Sequence, residues 1–284
     1  MKIFKYFFEA LIIYIFFAII KLIGLSLSRI IFSMLFKKIG PVIRSNNIPI
    51  KNLTIFSDKL NVDQKKEVIS NMWSNYGKVF VEYIFLKKFR KCNSHINIKG
   101  EEILDQLSKA NKPVIFVSGH FANFEMMSME ITKKNINVAT IYRPLNNIFL
   151  NPFMEYLRKK YICKNQIKKG RLGVKETVEY LKKNYSIALM IDQRVSEGEE
   201  TIFFKKTALT TTLPAQLATK YKINIVPIFI ERKKNDFFEM QIQNPIEIHK
   251  FKNKLEITRK LNQVIEEMII SNPNQWIWTH DRWK

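Results

Sequence analysis

Short apolar runs at Val114–Val117, Val138–Tyr142, Ile187–Ile191 and Ile223–Ile230 are separated by stretches of helical length and periodicity. The intervening helices are expected at Asn123–Lys134, Pro152–Tyr161, Val174–Lys183 and Leu213–Tyr221. A strand at His95–Lys99 and a helix at Glu101–Ala110 precede this series; a strand at Phe237–Ile242 and a helix at Leu255–Ile270 close it. Continuous apolar strands alternating with helices bury both faces of a sheet, which requires an α/β fold with a mainly parallel central sheet flanked by helices. A chain of 284 residues accommodates one large domain of this kind plus an appendage.

The appendage is expected at the N-terminus. Residues Ala10 to Ile20 are uninterruptedly apolar, and the apolar character continues past Lys21 to Phe36 with Arg29 as the other charge. The uninterrupted run is shorter than the ~20 residues that span a bilayer. Counted from Phe7 and carried on past Lys21 the stretch is long enough, because a boundary lysine can snorkel to the interface. Basic residues flank it, Lys2 and Lys5 before and Lys37, Lys38 and Arg44 after, and no small-residue cleavage site marks a signal peptide. Residues 1–44 are therefore expected to be a membrane-associated helical segment, spanning the bilayer or lying in its interface, and 45–284 the α/β domain. A buried core helix is the alternative. A polar connection at Asn52–Asp63 leads into a long helical pattern from Val62 to Phe89, whose apolar stripe is a packing face.

The formal charge of +22 would concentrate polyanions such as nucleic acid, anionic lipid or an acidic carrier protein. Part of it reflects a composition rich in Ile, Lys and Asn, and no recognition-helix, RNP-like or zinc-finger pattern supports nucleic acid. Cys92 and Cys163 are too few for a disulfide framework or a thiolate zinc site, and the four histidines are scattered, so no metal is expected.

Candidate chemistry gathers at strand ends. His120 follows Val114–Val117 across Ser118-Gly119, Arg143 follows Val138–Tyr142, and Asp192-Gln193 follows Ile187–Ile191. In an open parallel sheet the ligand crevice lies beyond the carboxyl ends of the strands, so these residues should share one edge. His120 suits a general base, with Glu125 in the first turn of the next helix folded back to orient it. Arg143 has the fork of donors that binds a phosphate or a developing oxyanion. Asp192 and Gln193 are expected to shape the crevice or hold the His120 loop. Arg171, in the basic turn Lys168-Lys169-Gly170-Arg171, suits an anionic group. Ser118 lacks the G-x-S-x-G elbow of a serine hydrolase.

With these motifs in hand, the sequence resembles the lysophospholipid and lipid A acyltransferase superfamily, and within it the bacterial late acyltransferases of lipid A biosynthesis. The likeness runs through the apolar N-terminus, Asn52-Leu53, Val81-Glu82-Tyr83, Val117 to Glu125, Tyr142 to Asn147, Asp192-Gln193, Val226-Pro227 and the closing Pro273 to Trp283. It implies transfer of a fatty acyl chain from a thioester, on acyl carrier protein or CoA, to a hydroxyl of a lipid A precursor at the cytoplasmic face of the inner membrane. It assigns His120 as base and Glu125 as its partner, places Arg143 near a phosphate or the intermediate, and calls for no bound cofactor. A monomer is expected, with an anionic lipid acceptor and the acidic carrier as partners of the positive surface. The sequence departs from the family after Asp192-Gln193: Arg194 replaces a frequent acidic residue, and Phe203-Phe204 is followed by Lys205-Lys206 rather than glycine. The terminal tryptophans suit either an interface anchor or packing against the domain.

Overall fold

The computed structural model describes residues 2–284; Met1, the start of the expected membrane segment, lies outside them. The apolar segment forms two helices, α1 (Lys2–Ile23) and α2 (Leu25–Ile43), which break at Gly24, where φ is +90°. α3 (Asn47–Phe56) occupies ground expected to begin a polar connection. α4 (Val62–Glu82) starts on a reciprocal cap in which the Asn61 side chain accepts from Gln64 N and Gln64 Oε1 from Asn61 N. The expected long helix ends at Glu82, where a tight turn, Tyr83–Phe85, leads into α5 (Leu86–Lys91).

The remaining elements are β1 (Ile96–Lys99), α6 (Glu101–Ala110), β2 (Ile115–Ser118), α7 (Glu125–Lys133), β3 (Val138–Tyr142), α8 (Asn151–Leu157), β4 (Asn165–Lys168) and α9 (Arg171–Lys182). They continue as β5 (Ser186–Met190), β6 (Glu199–Phe203), β7 (Lys206–Thr210), α10 (Leu213–Tyr221), β8 (Ile225–Arg232), β9 (Phe238–Ile242) and α11 (Lys254–Ser271). The central sheet has the order β1-β9-β8-β2-β5-β3-β4. Every neighbouring pair is parallel except β8 with β9. The mainly parallel α/β sheet read from the apolar runs is therefore the observed one. β2 and β5 are buried along most of their length, as their unbroken apolar sequences require.

Three features were not expected. β4 carries one apolar residue, Ile167, and pairs only with β3 at the sheet edge. The loop after Ile191 contains the antiparallel hairpin β6–β7, a separate two-stranded sheet. The helix expected over Pro152–Tyr161 changes at Arg158 into a single wide π-type turn, Arg158–Ile162.

α2 lies close against α4: a Cβ added at Gly77 would come within 2.2 Å of the Phe32 carbonyl oxygen. α1 rests along one stripe on the rest of the protein. Phe17 stacks on Phe80 with ring centroids 5.0 Å apart, Tyr14 Oη donates to Phe149 O at 2.9 Å, and Asn147 Nδ2 donates to Tyr6 O at 2.8 Å. The other faces expose Phe4, Phe8, Leu11, Ile12, Ile15 and Leu22. α1 is long and apolar enough to cross a membrane, with a mean hydropathy of 2.2 in its most apolar window.

Candidate active site

Register explains the centre of the site. Ser118 of β2 pairs with Met190 of β5, and each strand ends there, so His120 and Asp192 each lie two residues beyond a matched pair. Ile191 N donates to Ser118 O at 2.9 Å and keeps the two chain ends together. The His120 ring then meets Asp192: Nδ1 lies 2.8 Å from Oδ1. Asp192 Oδ2 accepts from His120 N at 2.8 Å and from Trp276 Nε1 at 2.8 Å. Burial alone would raise the Asp192 carboxyl pKa, but the imidazole and these N–H donors outweigh it and hold the pKa below the usual range. An ionised carboxylate only accepts, so Nδ1 carries a proton, and in the neutral ring Nε2 is the atom left with the lone pair.

The carboxylate that meets His120 in the structure is Asp192, and the expected partner, Glu125, makes other contacts. His120 is followed by Phe121, which bridges to Trp276, and by Ala122 at φ +42°, and α7 starts only at Glu125. Glu125 is instead enclosed by Tyr83, from the Val81-Glu82-Tyr83 segment, and by Arg158, which sequence reasoning did not single out. Its Oε1 accepts from Tyr83 Oη at 2.5 Å and from Arg158 Nε at 2.8 Å, and Arg158 Nη2 lies 2.6 Å away. The Arg158 guanidinium also sits 5.9 Å from the Tyr83 ring centre and 5.6 Å from that of Tyr142. Burial would lower the Arg158 pKa, but Glu125 and Tyr83 more than reverse this; burial and then the Glu125 charge push the Tyr83 phenol up, so Tyr83 stays a donor.

The other expected residues line the same edge at increasing distance. Arg143 ends β3, two strands from β2 and so about 10 Å away in the sheet. It is exposed, and it adjoins Lys169, whose ammonium pKa is lowered by burial and by the Arg143 charge. Arg171, exposed at the start of α9, lies one strand further. Gln193 is half-buried beside Asp192. Among the described residues no group of three His, Cys, Asp or Glu side chains is placed to hold a metal.

A small cavity of about 30 Å³ opens beside His120, walled by Met72, Tyr76 and Val79 of α4 together with Phe124 and Ile277. Phe124 sits edge-on to the imidazole, with ring centres 4.7 Å apart. The terminal tryptophans resolve the alternative left by sequence: Trp276, Trp278 and Trp283 are buried, and Trp276 belongs to the site through its bond to Asp192.

His280 closes the same region, its Nε2 accepting from Arg194 N at 2.9 Å. Burial lowers its pKa to about 4. Its pKa in the unfolded chain is about 6.5. The unfolded state therefore binds the proton first, and the stability due to neutral His280 is present above pH ~6.5 and lost as pH falls toward 4. Chemical denaturation of wild type and His280→Gln should show a smaller decline between these pH values in the variant. Equal declines would remove His280 as the cause.

A histidine held by a buried carboxylate at the carboxyl edge of a mainly parallel sheet, beside a small apolar cavity, gives this α/β protein an imidazole placed where proton transfer is chemically feasible. The family model described as bacterial lipid A biosynthesis acyltransferase matches residues 1–284, and the chain belongs to that family of acyltransferases. It is similar to lipid A biosynthesis acyltransferase 2 of Shigella flexneri, 22% identical over 239 residues covering 80% of this chain and 74% of the relative. It is also similar to the lipid A biosynthesis palmitoleoyltransferase of Escherichia coli (strain K12), 21% identical over 247 residues covering 85% and 79%. Among solved structures, the 1-acyl-sn-glycerophosphate acyltransferase of Thermotoga maritima matches with a TM-score of 0.43 and 16% identity, covering 88% of this chain and 99% of that one.

Proposed function

We propose that the protein transfers a fatty acyl chain from a thioester, on acyl carrier protein or CoA, to a hydroxyl of a lipid A precursor, with His120 as general base. The observation that carries this reading is the Nδ1 contact of His120 with Asp192, which leaves Nε2 free to accept a proton. Nε2 takes the proton of the acceptor hydroxyl as its oxygen attacks the thioester carbonyl. The tetrahedral oxyanion collapses, the C–S bond breaks, and the departing thiolate receives the proton from the imidazolium. No acyl-enzyme is formed. Asp192 fixes the tautomer and balances the imidazolium charge. The apolar cavity beside His120 takes the carbonyl end of the acyl chain, and Arg143 and Arg171, with Gln193 nearer the base, face the anionic groups of the acceptor. Glu125 acts through Arg158 rather than through His120. Relatives named for palmitoleoyl, myristoyl and lauroyl transfer all match at 20–22% identity, so the chain length is left to experiment.

Full-length His120→Ala, assayed with a lipid A precursor and each donor in turn, is expected to lose about 10²–10⁴-fold in transfer rate. Mass spectrometry of the product lipids reads acceptor and chain length together, and undiminished transfer would refute the base assignment. The exposed apolar faces of α1 support attachment to the inner membrane, and in this reading the α/β domain lies on the cytoplasmic face. The full chain should stay in the membrane fraction through a high-salt wash, because burial of apolar surface is insensitive to screening. Release by salt alone would show that the basic surface, not α1, holds it there.

A further inference from the structure

A second buried cluster lies between the N-terminal helices and the catalytic turn. Glu82, in the last turn of α4, is fully buried. Its Oε1 accepts from Arg29 Nε at 2.8 Å and from Arg232 Nη1 at 2.5 Å. Its Oε2 accepts from Arg232 Nη2 at 3.1 Å and from Asn123 Nδ2 at 2.8 Å. Arg232 Nε donates to Asn75 Oδ1 at 3.1 Å, and Asn75 Nδ2 donates to Ala122 O at 3.1 Å. Ala122 N donates to Gln275 O at 3.2 Å, while the Gln275 side chain bonds both Arg232 N and Arg232 O at 2.7 Å.

Two routes through this cluster end on Ala122 and Asn123, the residues that follow His120-Phe121, while Arg232 also faces Asp236 at 3.7 Å. Ala122 has φ +42°, a left-handed conformation that is uncommon for a residue with a Cβ and persists where the surroundings over-determine it. The Glu82 cluster and the Gln275 backbone provide that determination. A buried ion pair gains little net stability over apolar packing of the same volume. What this one supplies is a fixed position for the turn that aims His120.

Arg29 is the unusual member, because it comes from α2, whose outer face exposes Leu27, Ile30 and Met34. Its guanidinium is the connection from the apolar N-terminal segment into the cluster, and it lies 5.6 Å from the centre of the Phe89 ring. We propose that Arg29 is a positioning residue for acyl transfer: seated by α2, it fixes Glu82, and through Asn123, Arg232 and Asn75 it sets the Ala122 turn and the aim of His120. The N-terminal segment is then part of the catalytic machinery as well as an attachment. This inference rests on His120 being the base.

The test uses the full-length protein in detergent or native membrane, comparing wild type, Arg29→Met, Arg29→Lys, Asn123→Ala and His120→Ala. Misplacing a reacting group by about 1 Å costs up to ~100-fold. Arg29→Met is expected to lower kcat by about 10–100-fold, with KM for donor and acceptor changed less than about threefold and membrane attachment intact. Arg29→Lys, which keeps a cation on Glu82, should recover part of kcat. Asn123→Ala leaves both guanidiniums on Glu82 and cuts its direct link to the turn while the route through Arg232 and Asn75 remains, so it should reproduce part of the kcat loss, about tenfold, and it carries the test if Arg29→Met does not fold. A normal kcat per folded molecule in Arg29→Met, or in Asn123→Ala where Arg29→Met is unfolded, overturns the inference, whatever the thermal midpoint does. Full transfer by His120→Ala would instead overturn the base assignment on which it stands.

Discussion

Asp192→Asn is expected to lower kcat for acyl transfer by about 10³–10⁴-fold, the scale seen when the carboxylate orienting a catalytic histidine is made an amide. The contacts dictate the mechanism of the loss. Asp192 Oδ2 accepts from two N–H donors, His120 N and Trp276 Nε1, whereas Oδ1 meets only His120 Nδ1. An asparagine keeps one acceptor oxygen, and the two-donor side claims it. Its NH₂ group then faces Nδ1, which must become the acceptor, and the ring proton moves to Nε2, where no base remains. The protein should fold, because the two N–H bonds that tie His120 and Trp276 to position 192 survive. Initial rates at saturating donor and acceptor measure the effect. A loss below tenfold would mean that Asp192 only holds the loop and that another group governs the imidazole.

The sheet was legible in the sequence because β2, β3, β5 and β8 are apolar runs that need two covered faces. β4 was not legible, since Asn165-Gln166-Ile167-Lys168 becomes a strand only by pairing with β3. The β6–β7 hairpin does alternate, with Thr201, Phe203, Ala208 and Thr210 turned inward, but the pattern is short and written partly in threonine. The edge carrying His120, Arg143 and Asp192 followed from the parallel-sheet rule, yet the rule does not say which strands adjoin. That β2 lies beside β5 brings together residues 72 apart in sequence, and no local spacing announces it. The nearby Glu125 therefore looked like the natural partner. Arg158 was hidden for another reason: it heads the run Arg158-Lys159-Lys160, and only burial distinguishes it from its exposed neighbours.

Glu125→Ala is expected to destabilise the protein by about 3–5 kcal/mol, the cost of removing one partner of a buried ion pair. Arg158 would remain enclosed by the Tyr83 and Tyr142 rings with the Tyr83 hydroxyl as its polar contact. Loss of activity in that variant alone would be ambiguous, because an unfolded enzyme and a disarmed one both fail to transfer. The double variant Glu125→Leu/Arg158→Met separates them: it leaves no unpaired charge, so its denaturation midpoint should return close to wild type. Its transfer rate should not return. The pair joins the first turn of α7, directly after the His120 turn, to the end of α8 and to Tyr83 just past α4, so it fixes these elements relative to one another. Apolar side chains of similar volume can fill that space, but they cannot reproduce the directional contacts of guanidinium, carboxylate and phenol. A double variant with wild-type stability and wild-type kcat would reduce Glu125 and Arg158 to packing, and would leave His120 and Asp192 to carry the chemistry without them.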